Sequence, residues 1–247
     1  MKIQFGNEAL DCGAIAFDKD GTLVDSHALW WSLYDARAPY IRKKYGDSVL
    51  NSWARMNGVN PDARALDPSG PLALSHLEEE TVILAVAIYL AIQKGWSVCM
   101  AEATDLLAQA DATIPVEACT VAAPGVIDLI QTIRARGLPI AIVTSDQRDR
   151  TLRMLQHLQL DDAVDCVICP EDVEHGKPAP DMVHKVSSLL GVHPSKIVVV
   201  GDSRVDIEMA AAAGSPSILV GKFAEKDPEI VRLATACLET LREIVFL

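Results

Sequence analysis

The sequence has few positive charges and no long hydrophobic run. Lys and Arg number 22 against 34 Asp and Glu, so the formal net charge is −12, and no stretch concentrates basic residues. Because nucleic acids are bound through clustered basic side chains, we expect no nucleic-acid partner. The longest nearly apolar stretch, Val82–Ile92, has 11 residues. It is too short to span a bilayer and favours a buried helix, so we expect no membrane partner either.

The sequence also lacks the pattern of a secretion signal and a complete set of cysteine and histidine ligands for zinc. The N-terminus has no charged segment followed by an apolar one, so we expect a cytoplasmic location. Of six scattered Cys residues, only Cys166 and Cys169 have CxxC spacing, and they lie in an apolar segment. No second CxxC and no suitably spaced His pair accompany them. We therefore interpret both as core thiols rather than as a redox or zinc site.

The sequence contains neither a GxGxxG pattern nor a Walker P-loop, which disfavours a dinucleotide-binding or nucleoside-triphosphate-binding fold. Aromatic residues make up only 5% of the chain, but 50% of the residues are hydrophobic and 23% are charged. This is an ordinary composition for a soluble domain. A chain of 247 residues can bury a sizeable core, as one domain with an insertion or as two modest domains.

Three short apolar runs are interpreted as buried parallel strands, and polar side chains follow each of them. These side chains are Asp18 and Asp20 after the run 14–17, Thr144 and Ser145 after 139–143, and Asp202 and Asp206 after 197–200. A fourth segment, Gly176–Asp181, adds Lys177. Ligands of α/β sheets bind at the carboxyl ends of the strands, so one site is expected there. Buried neighbouring carboxylates need a cation, which predicts a metal ion or another cation between Asp18 and Asp20.

The chain shows two kinds of pattern. Residues 113–247 alternate strand-like runs with amphipathic helices, which predicts a parallel sheet flanked by helices. Residues 27–112 show helical spacing without strands, with Pro39 expected to kink or split the first helix and 58–72 expected to be loop. We therefore predict an α/β fold with a Rossmann-like parallel sheet formed by residues 1–26 and 113–247. An all-helical cap domain, residues 27–112, is inserted into it.

With these four motifs in this order, the chain resembles haloacid dehalogenase-type phosphohydrolases with a helical cap after the first motif, and among them phosphoglycolate phosphatases. The resemblance implies a magnesium-dependent phosphatase that acts on a small phosphorylated metabolite. It implies that Asp18 is both a magnesium ligand and the nucleophile that forms an aspartyl phosphate. Asp20 would be the general acid and then the base, with its main-chain carbonyl on the metal.

The resemblance also implies roles for the later motifs. Asp202 would be the third protein ligand of the metal. Thr144 and Lys177 would bind the phosphoryl group, with Ser145 as the alternate hydroxyl if the motif is offset by one. Asp206 would hold a metal-bound water or orient Lys177, and pairing with a helix N-terminus is an equally good account of its charge.

Other functions stay open to different degrees. A β-phosphoglucomutase-like phosphotransferase keeps both aspartates, and burst kinetics with product analysis would separate it from a hydrolase. A dehalogenase or phosphonatase is disfavoured by Asp20, and a non-catalytic regulator by the intact set of site residues. The cap carries no specificity signature that we can name. Its apolar helix at 82–92 could also form a dimer interface, so we expect a monomer or a homodimer.

Overall fold

The computed structural model describes residues 2–5, 8–67, 70–75, 77–115, 120–221 and 228–247. Cys119 lies outside these residues. The chain divides into two compact units. One consists of Met1–Asp25 and Thr120–Leu247, and the other of Ser26–Cys119. We call them the sheet unit and the helical unit.

The strands in chain order are β1 (Lys2–Phe5), β2 (Glu8–Asp11), β3 (Ala14–Phe17), β4 (Val59–Asn60), β5 (Ala65–Leu66), β6 (Ile140–Val143), β7 (Cys166–Ile168), β8 (Ile197–Gly201), β9 (Ser217–Val220), β10 (Ala236–Leu238) and β11 (Val245–Phe246). The helices are α1 (Ser26–Tyr45), α2 (Asp47–Met56), α3 (Pro71–Leu74), α4 (Leu77–Ile92), α5 (Trp96–Asp111), α6 (Val126–Ala135), α7 (Arg148–His157), α8 (Asp181–Leu190), α9 (Arg204–Ala213) and α10 (Pro228–Leu233). Single 3₁₀ turns occur at Asp161–Ala163, Pro170–Asp172, Pro194–Lys196 and Leu241–Glu243.

The sheet unit is built on a six-stranded sheet of order β10-β9-β8-β3-β6-β7, in which neighbouring strands are parallel. Strands β3, β6 and β8 are buried at every residue. Their runs of Ala, Ile and Val fit a sheet that is covered on both faces. In the central register, Phe17 of β3 lies opposite Ile142 of β6 and Val200 of β8. The predicted α/β fold with a parallel Rossmann-like sheet is confirmed.

A second, antiparallel sheet joins the two ends of the described chain. It has the order β11-β1-β2, with Ile3 opposite Phe246 and Leu10. The backbone N–H of Leu247 also donates to the carbonyl of Lys2 at 3.0 Å. Ile3 is fully buried, so this small sheet contributes to the core of the sheet unit.

The helical unit packs α1, α2, α4 and α5 around its own apolar core, which includes Trp30, Trp53 and Leu84. The expectation that this region lacks strands is wrong, because β4 and β5 pair as a short antiparallel hairpin within the predicted 58–72 loop. The side chain of Asn60 accepts the backbone N–H of Ala63 at 3.1 Å. This bond stabilises the turn of the hairpin locally, although each strand has only two residues.

Two further expectations for the helical unit need correction. Helix α1 continues through Pro39 as one helix of 20 residues, so the predicted split is wrong, and the alternative of a kink stays a prediction. Residues on both sides of the proline, Tyr34 and Ile41, are buried, so packing stabilises both halves. The apolar stretch 82–92 lies in α4 but is not buried all round. Leu84 and Ile88 are fully buried, whereas Leu90 is 69% exposed.

The cysteines of the CxxC pair lie at the edge strand of the main sheet. Cys166 in β7 is half-buried and Cys169 is buried. Burial is the main cause that raises the pKa of both thiols, in Cys166 to about 11. Both are therefore protonated at neutral pH, as expected for core thiols. Among the described residues, the helices are all too short or too polar to cross a membrane.

Candidate active site

The site lies at the carboxyl ends of three adjacent strands in the middle of the parallel sheet. Asp18 directly follows β3, Asp202 directly follows β8 and Thr144 directly follows β6. The backbone N–H of Asp18 donates to the carbonyl of Val200 at 2.8 Å, which extends the pairing of β3 with β8 to the first site residue. Since β3 lies between β8 and β6, Asp18 has one site residue on each side.

Lys177 bridges two of the carboxylates. Its ammonium donates to Oδ1 of Asp18 at 2.5 Å and to Oδ1 of Asp206 at 2.6 Å. The Lys177 side chain is only 2% exposed. Burial by itself lowers the pKa of this ammonium, but Asp18 and Asp206 outweigh burial and raise it above the usual value. Lys177 is therefore a permanent positive charge beside Asp18.

Three carboxylates lie close enough together to hold one metal ion. Oxygen atoms of Asp18, Asp202 and Asp206 all lie within 4.8 Å of one another. Burial is the main cause that raises the pKa of Asp18 to about 7, with Asp206 and Asp20 adding to it and Lys177 opposing it. Burial and the charges of Asp18 and Asp206 raise the pKa of Asp202 as well. In their ionised forms these three side chains exceed the charge of Lys177 by two, so a divalent cation with oxygen ligands fits the donor set.

Two features of the loops shape the space around Asp202. Gly21 has a φ of +84°, and a Cβ atom built on it would lie 2.0 Å from Oδ2 of Asp202. A glycine is therefore required there both for its backbone conformation and for the close approach of the carboxylate. The hydroxyl of Thr22 donates to Oδ1 of Asp202 at 3.5 Å, at the long limit of a hydrogen bond.

Asp206 has two contacts, one with the site and one with helix α9. Its Oδ2 accepts the backbone N–H of Ser203 at 3.2 Å, which is one half of a capping box at the start of α9. The same oxygen also accepts the hydroxyl of Ser203. Its Oδ1 accepts from Lys177. Asp206 thus contacts both the N-terminus of α9 and Lys177. Its role in orienting Lys177 or in holding a metal-bound water stays a prediction.

Asp20 lies apart from the carboxylate cluster. Its side chain is 34% exposed, and its Oδ1 accepts from the ammonium of Lys19 at 2.6 Å. The same ammonium lies 2.9 Å from Oδ2 of Asp146. Although burial lowers the pKa of Lys19, the charges of Asp20 and Asp146 raise it above the usual value. Lys177 therefore forms an ion pair with Asp18, whereas Lys19 forms one with Asp20.

The two hydroxyl residues after β6 have different surroundings. Thr144 is buried, and its Oγ1 accepts the backbone N–H of Asp146 at 3.0 Å. A hydroxyl that accepts one hydrogen bond can still donate its own proton to a ligand. Ser145 is exposed. The structure thus places Thr144, rather than Ser145, in the buried position next to the strand.

Two polar residues near the motifs, Arg204 and His175, contact residues outside the carboxylate cluster. Arg204 at the start of α9 pairs with Glu208 at 3.1 Å and with Glu229 at 3.3 Å. His175 is exposed and its Nδ1 lies 3.3 Å from Oδ2 of Asp181. Both interactions involve surface side chains, for which ion pairs contribute little to stability.

A family model of haloacid dehalogenase-like hydrolases matches residues 12–214, which include every site residue described above. The chain belongs to this family. Among curated relatives of this haloacid dehalogenase-like hydrolase, phosphoglycolate phosphatase of Shigella boydii is 29% identical over 86% of the chain and 82% of the relative. Phosphoglycolate phosphatase of Shigella flexneri is 36% identical over the same shares of both chains. The protein is therefore a haloacid dehalogenase-type phosphatase.

Solved structures share the fold of this haloacid dehalogenase-like hydrolase. A family member from Deinococcus radiodurans has a TM-score of 0.63 at 21% identity, covering 94% of this chain and 93% of its own. The β-phosphoglucomutase of Clostridium difficile has a TM-score of 0.58 at 16% identity, covering 95% and 94%. At these identities the likeness extends to the fold alone.

Lys19 and Asp146 contact the site residues, but no sequence motif points to this pair. A signal was present, because a lysine that follows a buried strand and is flanked by acidic residues needs a carboxylate partner if it is buried. The identity of Asp146 as that partner depends on the pairing of β3 with β6.

Proposed function

We propose that this haloacid dehalogenase-type phosphatase is a magnesium-dependent phosphomonoesterase that works through an aspartyl phosphate on Asp18. The observation that carries the proposal is the contact of Lys177 with Asp18 at 2.5 Å, beside Asp202 and Asp206 at the strand ends. A nucleophilic carboxylate next to a fixed cation and a metal site is what phosphoryl transfer requires.

In the first half-reaction, a carboxylate oxygen of Asp18 attacks the phosphorus of the substrate. The bond between phosphorus and the ester oxygen breaks, and the ester oxygen leaves with a proton that the Asp20 carboxyl donates. Lys177 offsets the negative charge on the transferring group, and the hydroxyl of Thr144 donates a hydrogen bond to it, with Ser145 as the alternate donor.

In the second half-reaction, water attacks the phosphorus of the aspartyl phosphate. The Asp20 carboxylate, which lost its proton in the first half-reaction, takes a proton from this water. Inorganic phosphate leaves, and the carboxylate of Asp18 is restored. Asp20 can do both tasks because its side chain is partly exposed and contacts Lys19 rather than the buried carboxylates.

The residues that would hold Mg²⁺ are Asp18, Asp202 and the main-chain carbonyl of Asp20, with Asp206 available to hold a metal-bound water. A bound magnesium ion would neutralise charge on the phosphoryl group and hold it in line with Asp18. Oxygen ligands of this kind favour magnesium over softer metals.

Phosphoglycolate is the first substrate to test, because relatives that align with 86% of this chain are phosphoglycolate phosphatases. The experiment is a screen of phosphorylated metabolites with magnesium, in which release of inorganic phosphate is followed for the wild type and for Asp18→Asn. Release by the wild type that is lost in the variant supports the proposal. A sugar phosphate that is isomerised without net release would instead indicate a phosphotransferase, and equal release by both proteins would refute the role of Asp18.

A further inference from the structure

Lys19 lies between the two aspartates of the first motif, and its side chain is 4% exposed. Its ammonium lies 2.6 Å from Oδ1 of Asp20 and 2.9 Å from Oδ2 of Asp146. Asp146 belongs to the loop after β6, two positions beyond Thr144. One buried ammonium thus connects the loop that carries Asp20 with the loop that carries Thr144.

Asp146 is well fixed on its own side of this connection. Its Oδ1 accepts the backbone N–H of Gln147 at 2.8 Å and lies 3.5 Å from Arg150 in α7. Its backbone N–H donates to Thr144 at 3.0 Å. Its buried Oδ2 receives no aligned hydrogen bond from the residues that the structure describes, so its contact with Lys19 is an ion pair. Asp146 therefore anchors Lys19.

Asp20 has weaker restraints. Its side chain is 34% exposed, and its backbone forms an isolated bridge with Val24 rather than part of a longer strand. A partly exposed Asp side chain populates several rotamers unless a partner selects one. Lys19 contacts Oδ1 of Asp20, which restricts the carboxyl group and still allows proton transfer through its second oxygen.

Stability of the fold is a poor reason for a buried lysine at this position. Removing an ammonium from water is costly, and an apolar side chain of similar size often serves a protein interior as well as a buried ion pair does. The position of Lys19 next to Asp18, the proposed nucleophile, instead favours a role in the reaction.

We propose that Lys19, anchored by Asp146, is a positioning residue that holds the Asp20 carboxyl in the orientation needed for proton transfer. The proposal rests on the proposed function, in which Asp20 protonates the leaving group. Orientation of a general acid matters most for a poor leaving group, since a good leaving group departs without a proton.

The test compares two substrates in the wild type and in Lys19→Met. One is 4-nitrophenyl phosphate, which has a good leaving group, and the other is the alkyl phosphate that the wild type cleaves fastest in the metabolite screen. The quantity measured is kcat/KM, which reports the steps up to phosphorylation of Asp18. We expect a fall of about 30-fold or more for the alkyl phosphate and of less than about 3-fold for 4-nitrophenyl phosphate.

Three variants complete the experiment. Asp20→Asn shows how much kcat/KM falls for each of the two substrates when the general acid is removed. Asp146→Asn keeps Lys19 but weakens its anchor, and should shift the ratio of the two substrates in the same direction by a smaller factor. Lys185→Met removes an exposed lysine of α8 and should leave both substrates unchanged.

An equal fall for both substrates, or no fall, in Lys19→Met would overturn the proposal, because a purely structural role does not discriminate between leaving groups. If circular dichroism shows that Lys19→Met does not fold, Asp146→Asn decides by the same criterion. A wild type that cleaves neither substrate would instead refute the proposed function. A normal wild type and a leaving-group-dependent Asp20→Asn, with no such dependence in Lys19→Met, would refute only the role of Lys19.

Discussion

The ammonium of Lys177 lies 2.5 Å from Oδ1 of Asp18, although 159 positions separate the two residues in the chain. The contact is possible because Asp18 follows a central strand of the parallel sheet, while Lys177 lies in the segment that precedes α8. The result is a buried carboxylate that is held next to a fixed positive charge.

Replacement of Lys177 tests the charge beside the nucleophile. Lys177→Met should lower kcat roughly 100- to 1,000-fold, as expected when a group that stabilises transition-state charge is removed. Lys177 also opposes the rise in the pKa of Asp18 that burial causes, so the acidic limb of the pH–rate profile should move to higher pH. Steady-state kinetics from pH 5 to 9 measure both effects. A variant with wild-type kcat and an unshifted profile would show that Lys177 is not part of the site.

Removal of metal should make stability depend on pH. Burial raises the pKa of Asp18 from 3.8 to about 7, so the folded protein binds this proton more tightly than the unfolded chain does. The free energy of unfolding of metal-free protein should therefore fall as the pH rises from about 4 through 7. Thermal unfolding of EDTA-treated wild type over this range, compared with Asp18→Asn, measures the loss. The variant should show a smaller decline.

Magnesium should stabilise the protein more at pH 8 than at pH 6, because Asp18 and Asp202 bind the metal only after they lose their protons. Titration of magnesium into metal-free protein at both pH values, followed by Tm, gives the comparison. Asp202→Asn should remove most of the gain at pH 8. An equal gain at both pH values, unaffected by Asp202→Asn, would place the metal elsewhere.

Two glycines separate backbone strain from crowding of the site. Gly21 and Gly46 have φ values of +84° and +81°, but only at Gly21 would a Cβ meet Asp202, whereas Gly46 has nothing within 4 Å. Both alanine variants should lose roughly 1–3 kcal/mol of stability from the left-handed conformation. Only Gly21→Ala should also weaken magnesium binding and lower kcat, as isothermal titration and phosphate release would show. Comparable effects of both variants on activity would contradict this account.

Removing one partner from a buried ion-pair network in the helical unit should destabilise the protein. The buried guanidinium of Arg37 donates to both carboxylate oxygens of Asp111 at 2.7 Å and to Glu80 at 2.8 Å. Arg37→Met leaves the buried Glu80 without its partner, and should cost roughly 3–5 kcal/mol. Urea unfolding measures this loss.

The matched control for Arg37 lies in the same helix. Arg42 pairs with Asp47 at 2.7 Å, but both side chains are well exposed. Arg42→Met should therefore change the free energy of unfolding by about 0–1 kcal/mol. Losses of similar size in Arg37→Met and Arg42→Met would show that burial of the Arg37 ion pairs does not increase the cost of removing the arginine.

The residues that follow central strands could be predicted from sequence because buried parallel strands are continuous apolar runs. Such runs end visibly at Asp18, Thr144 and Asp202, and the sheet fold brings their ends together. The Lys19–Asp146 pair could not be predicted in this way. It depends on which two loops the register of β3 and β6 places side by side, and a lysine between two aspartates looks solvent-exposed in sequence.

Short elements held by a few local bonds also escape sequence patterns. The hairpin of β4 and β5 has two-residue strands, too short for an alternating pattern. The backbone N–H of Asp67, directly after β5, donates to the carbonyl of Gly58, directly before β4, at 2.9 Å. This bond joins the two ends of the hairpin. Pro39 is expected to kink or split its helix because it lacks an N–H group, but buried neighbours on both sides keep α1 in one piece.

The most direct test of the account is to locate the phosphoryl group during turnover. Wild-type protein is mixed with magnesium and its best substrate, quenched in acid within milliseconds, digested, and analysed by mass spectrometry. The account predicts one phosphoryl group on the peptide that contains Asp18, with accumulation in Asp20→Asn when 4-nitrophenyl phosphate is the substrate, because hydrolysis of the intermediate then lacks its base. Phosphate release with no label on Asp18, or with the label on another residue, would contradict it.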